Sequence, residues 1–122
     1  MNSNHLQSTA LLPIRLSTKG KGKDSPKFNI TTKGYIHEDG FLAAHRKIHP
    51  LKHTPVNKQW KVTHLTTGFN VGILVSSKEK AISCMIDLAR NLDWSFRDPK
   101  ELSDLKIKKA QEMINTLNNK YK

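Results

Sequence analysis

Two runs of β-forming residues flank a glycine turn in the middle of this chain, and they limit its fold more than any other feature. Residues 60–66 read W-K-V-T-H-L-T and residues 69–75 read F-N-V-G-I-L-V, with Thr67-Gly68 between them. Such a short, glycine-containing break between two β-rich runs predicts a hairpin. Pairing the runs about that turn sets Trp60 opposite Val75, Val62 opposite Ile73 and His64 opposite Val71, on one largely apolar face. Lys61, Thr63, Leu65, Asn70, Gly72 and Leu74 fall on the other. A slip of one residue would mix the two sets, so the pattern itself argues the register. Residues 41–48 (F-L-A-A-H-R-K-I) fit either a further strand or one to two helical turns. Pro50 and Pro55 then mark a loop at 49–58.

A helix follows the hairpin. Ser76-Ser77-Lys78-Glu79 has the form of a capping box, in which serine takes a free backbone N–H and glutamate reaches back. Ile82, Met85, Ile86, Ala89 and Leu92 recur at helical spacing and would lie on the sheet. Asp98-Pro99-Lys100-Glu101 predicts a second helix, with aspartate as cap and proline in the first helical position. Leu102, Ala110, Met113, Ile114, Leu117 and Tyr121 line one stripe of it, and Lys106 interrupts that stripe, which predicts packing over only part of its length.

Charge divides the chain. It has 122 residues with 21 Lys and Arg against 10 Asp and Glu, a formal net charge of +11. Residues 1–34 hold Arg15, Lys19, Lys21, Lys23, Lys27 and Lys33 against Asp24 alone. Within them, residues 17–27 (S-T-K-G-K-G-K-D-S-P-K) carry no apolar side chain to offset the entropy of ordering. The expectation is therefore a disordered basic arm over 1–34 and a single α+β domain over 35–122. In that domain a small antiparallel sheet of about three strands packs on one helix, and a second helix ends the chain.

Several classes are excluded. No apolar run approaches the roughly 20 residues of a spanning helix. The single cysteine, Cys84, rules out an intrachain disulfide framework and a multi-thiolate zinc site. It falls near the apolar side of the first helix, where a small buried thiol is the default. The run at 10–14 is too short and proline-broken for a secretory signal, and a single arginine in the first 18 residues gives little basis for a transit peptide, so a cytoplasmic location is expected.

Neither a metal nor an enzyme is expected. His45, His49 and His53 have H-x3-H-x3-H spacing, to which His37, His64 or Glu38 could add a ligand, but Pro50 prevents a regular helix across that span. No nucleophile elbow or nucleotide-binding glycine loop is present. His64-Leu65-Thr66 has the H-x-T form of two-histidine phosphoesterases, without a clear second copy. No cofactor is implied.

The basic surface is the feature left to explain, and it is larger than solubility requires. Lys19, Lys21, Lys23 and Lys27 on the arm, with His45, Lys47, Lys61 and Thr63 on the outer sheet face, are the candidate contacts to phosphates. The expected function is a small basic nucleic-acid-binding accessory protein, with DNA favoured over RNA. Trp60-Lys61-Val62 opening a strand, Gly68 at the turn and Ser77-Lys78-Glu79-Lys80-Ala81 opening a helix together resemble the AP2 and phage-integrase arm-binding class of DNA-binding domains. That resemblance covers less than half of the chain. It implies a three-stranded sheet whose outer face, here Lys61 and Thr63, reads the major groove, although few arginines stand on that face. The S-S-K-E-K-A start also looks like the last helix of double-stranded-RNA-binding domains, whose first helix has no counterpart here.

A different class of function fits the segment 91–97 (N-L-D-W-S-F-R). Trp94, Phe96 and Arg97 are of the types enriched in interface hot spots. They would suit a phage- or plasmid-type inhibitor or adaptor that binds a host protein or ribonucleoprotein. The competing reading is that both rings staple the second helix to the core.

Overall fold

The structure, a computed structural model, describes residues 5–19, 27–49, 52 and 54–121. Five antiparallel strands form one sheet in sequence order: β1 (Leu12–Lys19), β2 (Lys27–Ile36), β3 (Leu42–Ile48), β4 (Pro55–His64) and β5 (Phe69–Val75). Two helices follow, α1 (Lys78–Asn91) and α2 (Asp104–Lys120), with a 3-10 turn at Pro99–Glu101 between them. Among the described residues, no helix is long and apolar enough to cross a membrane.

The α+β class and the two helices agree with the sequence reading, and residues 41–48 take the strand alternative. The sheet is larger than the expected three strands, and the described parts of 1–34 are not a disordered arm. β1 and β2 pair from Leu12 with Gly34 to Lys19 with Lys27, which satisfies the backbone groups that face each other across this ladder. The physical reason lies in the alternation of Leu12, Ile14 and Leu16. Ile14 and Leu16 are buried and, with Ala43, centre a small apolar cluster that Ile36, Ile48 and Leu65 flank. The polar run at 17–27 hides this pattern because its apolar support lies in the flanking residues. Gly34 lets β1, β2 and β3 approach one another. A Cβ there would meet the Ala44 carbonyl oxygen at 2.8 Å and Ile14 Cδ1 at 3.0 Å.

The β4–β5 hairpin has its expected register only at the open end, where Trp60 pairs with Val75 and Lys61 with Leu74. The turn occupies residues 65–68, with the Gly68 N–H donating to the His64 carbonyl at 2.8 Å, and Thr63 consequently pairs with Asn70 and His64 with Phe69. Gly72, at φ +102°, absorbs the shift, and its N–H donates to Asn70 Oδ1 at 3.0 Å. Because the register moves by two residues, the faces survive. Trp60, Val62, His64, Ile73 and Val75 are all buried.

α1 covers that face. Ala81, Ile82, Cys84, Met85, Ile86 and Leu88 pack on Leu42, Ala44, Val62 and Ile73 to form the main core. Its cap is Ser77, whose Oγ accepts from the Lys80 N–H, so Glu79 stands one position too early to close the expected capping box. α2 likewise begins later than expected. Asp98 caps the 3-10 turn, accepting from the Lys100 N–H at 2.9 Å, and Ser103 then caps α2 by accepting from the Lys106 N–H. As the interrupted stripe implied, α2 buries only Leu117, with Met113, Ile114 and Tyr121 half-buried on the core. Asn118 ties it to the edge strand: Oδ1 accepts from the Leu74 N–H at 3.0 Å and Nδ2 donates to the Gly72 carbonyl at 2.9 Å. An edge backbone is thereby covered by a side chain rather than by another strand.

Candidate nucleic-acid interface

The residues expected on the outer sheet face do come together. His45 of β3 pairs with Lys61 of β4, and His45, Lys47, Lys61 and Thr63 line one depression of about 110 Å³ with Leu16, Ile48, Gly68 and Asn70. Leu16 belongs to the first strand and Asn70 to the last, so the sheet curls enough to bring its two ends to one rim.

Two of the four residues are turned inward. His45 and Thr63 are each 2% exposed. His45 Nδ1 lies 2.7 Å from the Arg46 carbonyl, to which it donates, leaving Nε2 to accept from the Thr63 hydroxyl at 2.6 Å. Burial lowers the His45 pKa, the Arg46 carbonyl opposes this, and Lys61 adds to the lowering. His45 is thus a neutral, fully bonded support, and only Lys47 and Lys61 offer charge to solvent. Lys61 is half-buried, and its pKa is lowered first by burial and then by Lys47. An anion seated between the two ammonium groups would relieve their repulsion.

Of the arm lysines, Lys19 and Lys27 lie opposite each other at the end of the β1–β2 ladder, while Lys21 and Lys23 lie outside the described residues. The aromatic linker between the helices is used internally. Trp94 is buried, and its Nε1 donates to the Leu88 carbonyl at 2.9 Å. Phe96 stacks on His64 with ring centroids 4.4 Å apart, and His64 Nε2 donates to the Trp94 carbonyl at 2.7 Å. His64 Nδ1 lies 2.9 Å from Thr67 Oγ1, so this histidine pins the β4–β5 turn to the linker. Arg97 is exposed, and its backbone N–H donates to Glu101. Of the H-x3-H-x3-H histidines, two lie among the described residues and make separate contacts. His45 is engaged on the sheet, His49 Nδ1 accepts from the Lys52 N–H, and His53 lies outside the described residues.

The opposite face carries a larger feature that the sequence reading missed. Beyond the N-terminal end of α1, an open groove of about 500 Å³ runs over β2, β3 and β4. Its floor is the stacked pair Tyr35 and Trp60, with centroids 6.2 Å apart. Arg46 stands 5.9 Å from the Trp60 ring centre and Lys78 stands 5.4 Å from that of Tyr35. Lys33 also lines the groove, and no acidic residue is among its lining residues. Lys78 is the first residue of α1, so the positive end of the helix dipole opens on the same groove.

Strand alternation is the signal that separates the two basic surfaces. His45 and Lys47 point to one side of β3, so Arg46 between them must point to the other, beside Trp60 with which it pairs. Tyr35 reaches Trp60 only because β2 pairs with β3, with Tyr35 opposite Ala44, and that pairing is invisible once 1–34 is read as an arm. Comparisons of the chain with protein-family models, with curated proteins and with solved structures found no match.

Proposed function

We propose that this chain binds nucleic acid, and that its principal contact is the Tyr35–Trp60 groove. The observation that carries this reading is the combination of two stacked rings with three cations, Lys33, Arg46 and Lys78, in a groove lined by no acid. Aromatic faces accept unpaired bases in any sequence, and flanking cations follow the backbone, which favours single-stranded over duplex partners. Tyr35 is half-buried and offers part of its ring, whereas Trp60 is buried and braces it. Lys47 and Lys61 provide a second, smaller anion contact on the other face, where the two ammonium groups offer charge and no Phe, Tyr or Trp is among the described lining residues. His45 and Thr63 serve by holding β3 and β4 beneath them. Lys19 and Lys27, which pair at the end of the β1–β2 ladder, and Lys21 and Lys23, which lie between them in sequence, are further candidate phosphate contacts. The order β3–β4–β5–α1 also suits a sheet-and-helix binding module of the kind the sequence resembles, with two strands added before it.

The test is fluorescence anisotropy with labelled single-stranded DNA, single-stranded RNA and duplex DNA at several salt concentrations. Saturable binding to a single strand is expected, with log affinity falling by about 0.7 per phosphate contact for each tenfold rise in salt. Tyr35→Ala is expected to weaken it by about 1–3 kcal/mol through lost stacking. An absence of saturable binding at low salt, or unchanged affinity in Tyr35→Ala, would overturn the reading.

A further inference from the structure

We infer that His5, His37 and Glu38 form a binding site for a divalent transition-metal ion of the zinc class. His5 is distant in sequence from the adjacent pair His37 and Glu38 and is brought beside them by backbone pairing. Leu6 forms an antiparallel bridge with His37, the Gln7 N–H donates to the Ile36 carbonyl at 2.9 Å, and the Glu38 N–H donates to the His5 carbonyl at 2.8 Å. These contacts fix His5 beside the end of β2 before any side chain is considered.

One ligand atom from each residue then lies within 4.8 Å of the others. His5 Nδ1 is 3.6 Å from Glu38 Oε1, and the His5 and His37 rings are parallel within 7°, with centroids 6.4 Å apart. Ligands held about 2.0–2.2 Å from zinc in a tetrahedron stand a little over 3 Å from one another. Small rotations of the half-buried His5 and the exposed Glu38 side chains would close that gap, while His37 is buried and stays in place. Two imidazoles and one carboxylate are a donor set suited to zinc, leaving the fourth position to water.

A further carboxylate supports the assignment. Asp39 Oδ1 lies 3.1 Å from His37 Nδ1 and also accepts from the Phe41 N–H at 2.9 Å. The Asp39 backbone N–H lies 3.3 Å from the same nitrogen, so Asp39 holds the His37 ring in orientation through both its carboxylate and its main chain, the kind of support a metal-ligating histidine draws from a neighbouring group. The ion would clamp the start of the chain onto the turn between β2 and β3.

The experiment is titration of the full chain with Co(II), read by visible absorption, followed by displacement with Zn(II). Wild-type protein is expected to saturate at about one ion per chain, with d–d bands of low coordination number that zinc removes. His5→Ala and Glu38→Gln alter side chains outside both apolar clusters, one half-buried and one exposed, and each is expected to abolish the bands. Asp39→Asn is expected to weaken affinity about 10- to 100-fold, and His49→Ala to leave it unchanged. Wild-type protein without saturable bands, or bands that persist in both His5→Ala and Glu38→Gln, would overturn the assignment.

Discussion

On the helix-covered face of the sheet, Leu42, Ala44, Val62 and Ile73 are sealed beneath α1, and cations gather where the helix begins, around Tyr35 and Trp60. On the other face, Ile14, Leu16 and Ala43 form a much smaller apolar cluster, and the half-buried Lys61 stands above a bonded His45–Thr63 pair. The same alternating strands produce both surfaces, so the difference comes from what each is packed against. A helix supplies a deep core and, at its open end, aromatic surface with cations over it. A curled sheet edge supplies a shallow core and cations over a polar support.

The first way to sharpen that comparison is to hollow out each core. Leu88→Ala, wholly buried in α1, is expected to cost about 2–5 kcal/mol in urea unfolding, because the surrounding core collapses only partly. Ile14→Ala on the opposite face removes similar bulk from a cluster nearer a sheet edge and is expected at the low end of that range. Equal losses would mean that the two cores are energetically alike.

Next in size is Gly34→Ala. The added methyl would be forced against the Ala44 carbonyl and Ile14, and overpacking of this kind costs about 1–3 kcal/mol. The amides of β1 and β2 are expected to lose hydrogen-exchange protection while those of α1 keep it.

A smaller effect is expected from pH. The His45 pKa is lowered in the folded state, so the unfolded chain takes up a proton near the ordinary histidine value while the folded chain resists it until lower pH. Stability should therefore fall as pH drops through about 6.5, the ordinary histidine value, with this contribution levelling off below the folded pKa. His45→Gln should flatten that part of the curve of urea midpoint against pH. An unchanged slope would remove His45 as its source.

Smallest is the response of Cys84, on the helix side of the core. Burial and then Asp87 push its thiol pKa up to about 11, so little thiolate is available near neutrality. A thiol reagent should modify it slowly in native protein and readily in urea. Rapid native modification would show that α1 opens locally.

Much of this fold was legible in the chain where local pattern and long-range packing agree. Residues 60–75 alternate cleanly, and α1 follows a serine cap with apolar residues at helical spacing, so both were readable. β1 and β2 were not, because their stability comes from pairing across a polar, glycine-rich run and from burial of Ile14 and Leu16 against Ala43, residues distant in sequence. The candidate site divided along the same line. His45, Lys47, Lys61 and Thr63 share one face by simple alternation on two strands and could be gathered from sequence. The Tyr35–Trp60 groove depends on β2 lying beside β3, and its cations come from three separate elements, β2, β3 and α1. Burial was also beyond the pattern, since nothing in the alternation tells that Thr63 bonds His45 instead of a phosphate.

The most direct test of the account removes charge from each face in turn. Arg46→Gln with Lys78→Gln, and separately Lys47→Gln with Lys61→Gln, would be compared by anisotropy with a single-stranded oligonucleotide across a salt series. The account predicts that the groove pair weakens binding more and lowers the magnitude of the salt slope by about 1.4, at about 0.7 per lost phosphate contact, while the other pair has a smaller effect on both. A loss from Lys47 and Lys61 equal to or greater than that from Arg46 and Lys78 would contradict it.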